Sequence, residues 1–295
     1  MAATIALPLR VGPRTIATVR RKLVRVPLSL DDVLAARLPD LTGADGDGYL
    51  VTSLPEALLP AFRAARPDLA AFVRQRYPRR YADLRQPFDA WLGGLSGATR
   101  SGLKRKLRKA ADTEVRAFHR PEQVADFHRH ARAVSALTYQ ERLLDAGMPD
   151  GRDVVAEIAA LAARDAMRGW VLFVKEQPIA YLYAPAAGDT LIYAYLGHDP
   201  AYGHLSPGTV LQAEAFRELM AEGRFARFDF TEGDGQHKRQ FATGAVNCVD
   251  VLLLRRTPAN LATGALLAAF DGGVAAAKTV IGSLGLGTLA RRLRG

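Results

Sequence analysis

The chain has 295 residues, 49% of them apolar and 24% charged, enough to bury the core of one large domain or two smaller ones and too apolar for wholesale disorder. A mean hydropathy of −0.02 without a long uncharged apolar run argues against a membrane-spanning helix, and the lone Cys248 excludes a disulfide scaffold or a cysteine-rich zinc site and fits a reducing compartment. The net charge of +10 is concentrated in two acid-free stretches, residues 1–30 (Arg10, Arg14, Arg20, Arg21, Lys22, Arg25) and residues 100–109 (Arg100, Lys104, Arg105, Lys106, Arg108, Lys109), a pattern that fits either a polyanionic partner or a solubilising face.

Residues 1–9 are apolar, but the charges follow them, where a secretory signal needs them in front. An Arg-rich, acid-poor start is also a transit-peptide pattern; strand alternation in residues 4–11, 15–19 and 22–26, with a turn at Gly12-Pro13-Arg14, predicts a small antiparallel sheet instead. A turn cluster at 43–48 precedes a short strand at 49–53 and a proline-opened helix at 55–65. Phe88, Trp91, Leu92 and Leu95 form the apolar stripe of a helix ending near Ser96. A second helix begins near Thr99, with Leu103 and Leu107 on one face and the six bases around the rest.

Further on, the pattern predicts a strand at 115–118, a long helix at 121–144 and another at 152–168. Strands at 170–175, 179–185 and 191–197 follow, separated by turns at Gln177-Pro178 and Gly188-Asp189. A helix at 207–222, a strand at 226–230, a glycine-rich loop and a strand at 248–255 complete this part. An antiparallel meander feeding a strand, helix, strand crossover is an α/β (α+β) pattern with a mixed sheet. Between residues 198 and 209 a strand runs into a loop that ends on a helix start: Ser206 reads as N-cap, Pro207 as first helical residue, and Gly208 leaves the backbone approachable. Such a start can hold a phosphate, though as a bare motif it is weak, because most capped helices bind nothing.

The segment from Phe228 to Phe241, read as FDF-x-x-G-x-x-x-x-K with Gly233 and Lys238 in place, resembles the signature of the cellulose-biosynthesis-type (CelD-like) acetyltransferases of the GNAT superfamily, relatives of the FemAB-type transferases. Trp91-Leu92, Leu95-Ser96, Thr99-Arg100 and the run 103–107 are similar to that family's basic helix. Tyr195-Leu196-Gly197 and the run 206–211 are similar in type and order, and the resemblance spans roughly residues 80–255. It implies a GNAT-like mixed, mostly antiparallel sheet flanked by helices, binding acyl-CoA or an acyl-carrier protein where two strands splay. Residues 191–197, including Leu196 and Gly197, and 226–230 would be those strands, and Gly203, Ser206, Gly208 and Thr209 would hold the pyrophosphate. The loop departs from the family pattern in carrying Tyr202, His204 and Pro207, and His237 stands where an aromatic is more usual.

Acyl transfer from a thioester to an amine needs a neutral nitrogen, and an alkyl ammonium has a pKa of about 10.4, so a base must take its proton. Phe228 and Phe230 alternate inward, leaving Asp229 on the other face, with Glu232, Asp234 and His237 following. Glu232 or Asp229 is the expected base, directly or through a water, and His237 the competitor, while Glu232, Asp234 and Lys238 are also readable as plain loop charges. Lys238 and Arg100 are expected to contact an acidic substrate group or phosphate, and Tyr139 and Tyr195 to line the acceptor pocket. A packed helix face explains Tyr139 equally, and cross-strand pairing explains Tyr181, Tyr183, Tyr193 and Tyr195. No metal is expected, since His119, His128 and His130 read as helix histidines without carboxylate partners, and Cys248 as a buried inert thiol.

The tail, residues 258–295, is rich in Ala, Gly and Leu and closes with Arg291-Arg292-Leu293-Arg294-Gly295. Leu266, Leu267, Phe270, Val274, Ile281, Leu284 and Leu289 could line an interfacial helix, or a helix docked on its own domain. The expected divisions are 1–120, an N-terminal β-rich extension with the basic helix; 121–257, the GNAT-like core; and 258–295, the helical tail. The expected activity is acyl-CoA-dependent N-acyl transfer in the cytoplasm, with peripheral contact to an anionic membrane surface through the tail and basic N-terminus. The acceptor would be a small-molecule or lipid-like amine, and a sphingoid base would make the chain resemble a bacterial ceramide synthase. The alternatives are a FemAB-like transferase using aminoacyl-tRNA and a non-enzymatic nucleic-acid-binding protein, the latter disfavoured because no aromatics interleave the basic helix.

Overall fold

Ile5, Leu7 and Leu9 are buried between exposed neighbours, the alternation of a strand with one wet face. That strand, β1 (Ala3–Val11), pairs antiparallel with β2 (Arg14–Pro27), Leu7 opposite Val19. The computed structural model describes residues 1–12, 14–41, 46–138, 147–233 and 235–283. The chain divides into two units, Met1–Pro78 with Val246–Gly295, and Arg79–Ala245, so the basic helix belongs with residues 79–245, where divisions at 120 and 257 were expected. No helix among the described residues is long and apolar enough to cross a membrane.

In the first unit β2 is one strand, not two, because Arg20 lies on the exposed face and leaves the backbone ladder intact. β3 (Gly48–Pro55) runs parallel to β2 and antiparallel to β11 (Gly244–Arg255), with Val51 between Val26 and Val251. β4 (Leu69–Asp83) lies beyond β11. One short helix was not read from the sequence, α1 (Leu30–Leu34), opened by a Ser29–Asp32 capping box; the helix expected at 55–65 is α2 (Leu59–Ala65), which starts later because the strand runs through Pro55 into a 3₁₀ turn. One face of the sheet buries Tyr49, Val51, Leu54, Phe62 and Cys248. The other buries Leu7, Leu23 and Leu252 under Leu267 and Phe270 of α9 (Pro258–Ser283). Arg74 pairs with Asp271 at 2.7 Å. Those two apolar residues of the tail therefore cover their own unit, whereas Leu266 is exposed; Leu284, Leu289 and the terminal arginines lie outside the described residues.

The second unit carries the strand order β4–β10–β8–β7–β6–β5, with β9 also on β7. These are β5 (Glu114–Phe118), β6 (Met167–Val174), β7 (Gln177–Ala187), β8 (Thr190–Ile192), β9 (Tyr195–His198) and β10 (Arg227–Asp229). The β8–β10 pair is parallel, and β4–β10, β5–β6, β6–β7, β7–β8 and β7–β9 are antiparallel. One face is covered by α5 (Val124–Ser135) and α6 (Arg152–Ala162), whose Phe127, Val134 and Ile158 meet Val171, Phe173 and Tyr181. On the other lie α3 (Phe88–Gly94), α4 (Gly97–Lys109), α7 (Pro207–Glu222) and α8 (Gln236–Phe241). The result is the expected mixed, mostly antiparallel sheet flanked by helices.

The long helix expected at 121–144 is shorter. A 3₁₀ turn at Pro121–Gln123 precedes α5, which ends where Ser135 turns its carbonyl to Thr138 and its hydroxyl to the Met148 amide. α6 likewise stops at Ala162, and a left-handed Asp165 redirects the chain into β6. Phe216 of α7 is the hub of the second core, with ring centroids 5.4 Å from Trp91, 5.2 Å from Phe228 and 5.4 Å from Phe241. Phe216→Ala is expected to lose about 3–5 kcal/mol of stability. Because both tryptophans, Trp91 and Trp170, belong to the second unit, urea unfolding followed by tryptophan fluorescence reads that loss directly.

Candidate functional site

The expected strand at 191–197 is broken, and the break shapes the site. β8 runs beside β10, with Leu191 opposite Phe228 and Ile192 opposite Asp229, and the Tyr193 amide still donates to the Asp229 carbonyl at 2.9 Å. The next amide, of Ala194, donates to Tyr183 on β7 at 3.2 Å, and β9 continues along β7 with Tyr195 opposite Tyr183 and Gly197 opposite Tyr181. β9 thus parts from β10 at Tyr193. The Tyr193 ring occupies the start of the parting, 6.2 Å from Phe228, 6.0 Å from Phe230 and 5.7 Å from His237, and burial raises its phenol pKa.

Beyond β10 the loop is held from both sides. Asp229 is 1% exposed, and its carboxylate receives Arg79 Nη2 at 2.5 Å, Arg79 Nε at 3.2 Å and the Thr231 amide at 2.8 Å. Thr231 and Gly233 adopt φ of 59° and 94°, left-handed geometry that this anchoring sustains. From α8, Lys238 Nζ donates to the Phe230 carbonyl at 2.6 Å and to the Glu232 carbonyl. Burial holds the Lys238 pKa below its ordinary value against the opposing pull of Glu232 and Asp229. Lys238 therefore fastens backbone, where sequence reasoning expected a substrate contact, and Asp229 is engaged where a base would need an open lone pair. Glu232 is exposed at the loop. The His237 ring folds over Gly235, where an added Cβ would lie 2.8 Å from Cε1, and leans on Tyr193 while the residue keeps an exposed edge. Desolvation, helped by the Lys238 charge, holds its pKa below the ordinary histidine value, which favours the neutral imidazole.

Across the parting stands the start of α7. Asp199 caps the preceding 3₁₀ turn (Pro200–Leu205) by accepting from the Ala201 amide at 2.9 Å. Ser206 sits in the left-handed region and makes no side-chain cap, so the expected N-cap role is corrected: its carbonyl, not its hydroxyl, takes the Thr209 and Val210 amides. A Cβ on Gly208 would lie 3.0 Å from Leu196 and 3.8 Å from His198, which puts the helix start against β9. Lys106 of α4 reaches Thr209 Oγ1 at 3.3 Å. Thr99, Gly102 and Lys106 of α4 and Gln236 and Arg239 of α8 line a cavity of about 400 Å³. The basic helix, the α7 start and α8 are therefore neighbours.

The remaining expected residues scatter into structural roles. A Cβ on Gly197 would meet Tyr181 at 2.5 Å, so this glycine serves close packing, while Gly203 faces open space. Arg100 donates to the Gly93 carbonyl at 2.8 Å and closes the end of α3. Tyr195 stacks on Tyr183 with centroids 6.4 Å apart. Tyr139 and Asp234 lie outside the described residues. Among the described residues no group of three or more His, Cys, Asp or Glu is placed to hold a metal. Sequence reasoning missed Arg79, whose strand went unread, and Gln212, a lone amide in the apolar run of α7 that is 1% exposed with no hydrogen-bond partner for Nε2.

Residues 97–239 match the family model described as an acetyltransferase (GNAT) domain. Comparison with curated proteins finds no match. Among solved structures, the C-terminal domain of a proposed lysylphosphatidylglycerol synthetase from Agrobacterium fabrum is similar at 15% identity and a TM-score of 0.52, covering 77% of this chain and 72% of that one. FemX is similar at 10% identity and a TM-score of 0.52, covering 85% and 88%. L-PGS from Bacillus licheniformis follows at 13% identity and a TM-score of 0.50, covering 76% and 73%. The fold is GNAT-like, and the domain match supports a transferase of acyl groups. The ion pair beneath the loop is expected to govern stability: Asp229→Asn or Arg79→Met should each lose about 3–5 kcal/mol, since either leaves a buried charge without its partner. Guanidinium unfolding of the two variants measures it.

Proposed function

We propose that this chain transfers an acyl group from a phosphate-bearing thioester, acyl-CoA or an acyl-carrier protein, to the nitrogen of an amine. The observation that carries the reading is the parting of β9 from β10 beside a helix start that Lys106 of the basic helix reaches. A helix N-terminus with an adjacent ammonium suits a pyrophosphate, and Gly208 and Thr209 are the residues that would present it. An arm running from there between the parted strands would bring the thioester carbonyl toward the loop of Glu232 and His237. The amine nitrogen attacks that carbonyl carbon while its proton passes to a base, the carbon–sulfur bond breaks, and the sulfur leaves as a thiolate that takes the proton up to become the thiol.

His237 is the base this geometry supports best, because its neutral form is favoured and it lies on Tyr193 at the parting; Glu232 is the next candidate. Asp229, held by Arg79, would position the loop. The resemblance of the 228–241 segment to CelD-like acetyltransferases supports an N-acyl product. A sphingoid base is the finer acceptor we propose, giving a ceramide-type amide at a membrane face. A second reading, aminoacyl transfer from charged RNA, is favoured by one observation: Lys104, Arg105, Arg108 and Lys109 are exposed on α4, more positive charge than one pyrophosphate requires.

Thiol release from acetyl-CoA and palmitoyl-CoA, with and without sphinganine, separates these readings. Amine-dependent release is expected, and its absence together with transfer from charged tRNA would replace the first reading by the second. Lys106→Ala should raise the KM for the thioester about tenfold or more, as for a lost charge-assisted hydrogen bond. His237→Gln should lower kcat by about 10²–10⁴. A base with a depressed pKa is neutral above it and protonated below, so protonation of His237 should add an acid limb to the wild-type kcat profile on the acid side of the ordinary histidine range, and His237→Gln should abolish that limb.

A further inference from the structure

Residues four apart share a helix face, so Gly208, Gln212 and Phe216 form one ridge of α7. Its first member abuts Leu196 and His198 of β9. Its third abuts Phe228 and Phe230 at centroid distances of 5.2 and 6.3 Å. Gln212 lies between them on the ridge, one neighbour against β9 and the other against Phe228 of β10. Gln212 is 1% exposed as a residue, and its Nε2 has no hydrogen-bond partner. A buried donor needs an acceptor, and this one lies about one helical turn, roughly 5 Å, inward of the helix start that Lys106 reaches.

We infer that Gln212 is a positioning residue for the donor substrate: its Nε2–H groups donate to an amide carbonyl oxygen of the pantetheine arm lying between the two strands. The inference rests on the proposed function, which brings the phosphates to the α7 start and so leads the arm past Gln212. An arm bearing amides offers acceptors along its length, whereas a plain alkyl chain there would leave the carboxamide unsatisfied. Gln212 would thus select for the carrier arm itself, independently of the acyl group it bears.

The test is titration calorimetry of the full chain with coenzyme A and with ADP, which keeps a pyrophosphate but lacks the arm. Gln212→Met, of similar length and without donors, is expected to weaken coenzyme A binding about tenfold, to leave ADP binding unchanged, and to melt at the same or a higher temperature. Gln212→Leu, a second variant that loses the donor, should behave alike and stands in if Met packs poorly. Equal coenzyme A affinity in wild type and variants overturns the inference, as does a parallel loss of coenzyme A and ADP binding, which marks a packing role. Wild-type protein that binds neither ligand overturns the proposed function instead, and the inference with it.

Discussion

Asp229 has almost no access to water, and a carboxylate there is tolerable only because Arg79 supplies a two-pronged guanidinium and Thr231 a backbone amide. The pairing anchors the last residue of β10 to the adjacent strand, and it fixes where the chain turns. Lys238 completes the arrangement from the far side by drawing the Phe230 and Glu232 carbonyls toward α8. Two charged groups that sequence reasoning set beside a substrate are thus committed elsewhere, Asp229 to Arg79 and the Thr231 amide and Lys238 to backbone carbonyls. What they hold is a loop with two left-handed residues, a conformation that would relax without them. Rigidity at this point lets the exposed Glu232 and His237 be presented at a defined place, the condition under which electrostatic and proton-transfer effects are strongest.

Periodicity was a good guide wherever an element has one wet and one dry side. β1 follows from buried residues that recur at the strand period and α4 from the four-residue spacing of the buried Leu103 and half-buried Leu107, and α7 follows from Pro207 at one end and Gly223 at the other. β4 was invisible for a physical reason: its fifteen residues carry four arginines and Pro78, and several of its side chains meet polar partners in place of an apolar layer, Gln75 and Tyr77 bonding Asp250 and Arg79 bonding Asp229. Missing the strand meant missing Arg79, and without Arg79 the Asp229 carboxylate reads as a free base. α8 was hidden by Gly233 and Gly235, which read as loop although the second only makes room for the His237 ring. The break at Tyr193 has no compositional mark at all, since both halves of the 190–198 stretch are strand-like and only the change of partner separates them.

The basic cluster divides by position along α4. Lys106 points to the α7 start and the cavity beside α8, whereas Lys104, Arg105, Arg108 and Lys109 face solvent with no acidic partner among the described residues. Charge of this kind attracts any polyanion over a Debye length, about 8 Å at physiological ionic strength, and steers more than it selects. Under the proposed function, discrimination between donors would fall to deeper, uncharged groups, such as Gln212 on the ridge it shares with Gly208 and Phe216.

The first unit is stitched from both ends of the chain, and Val51 finds its neighbour at Val251 only after the whole second unit has been made. On the ribosome, β1 to β3 emerge as a half-sheet with a bare edge, while residues 79–245 form an uninterrupted stretch able to close by itself. Completion then waits for β11, a closure of long sequence separation and correspondingly slow. Nascent chains stalled before residue 246 would carry an unguarded strand edge, the kind of surface that chaperones bind and that neighbouring chains pair with when it is left open.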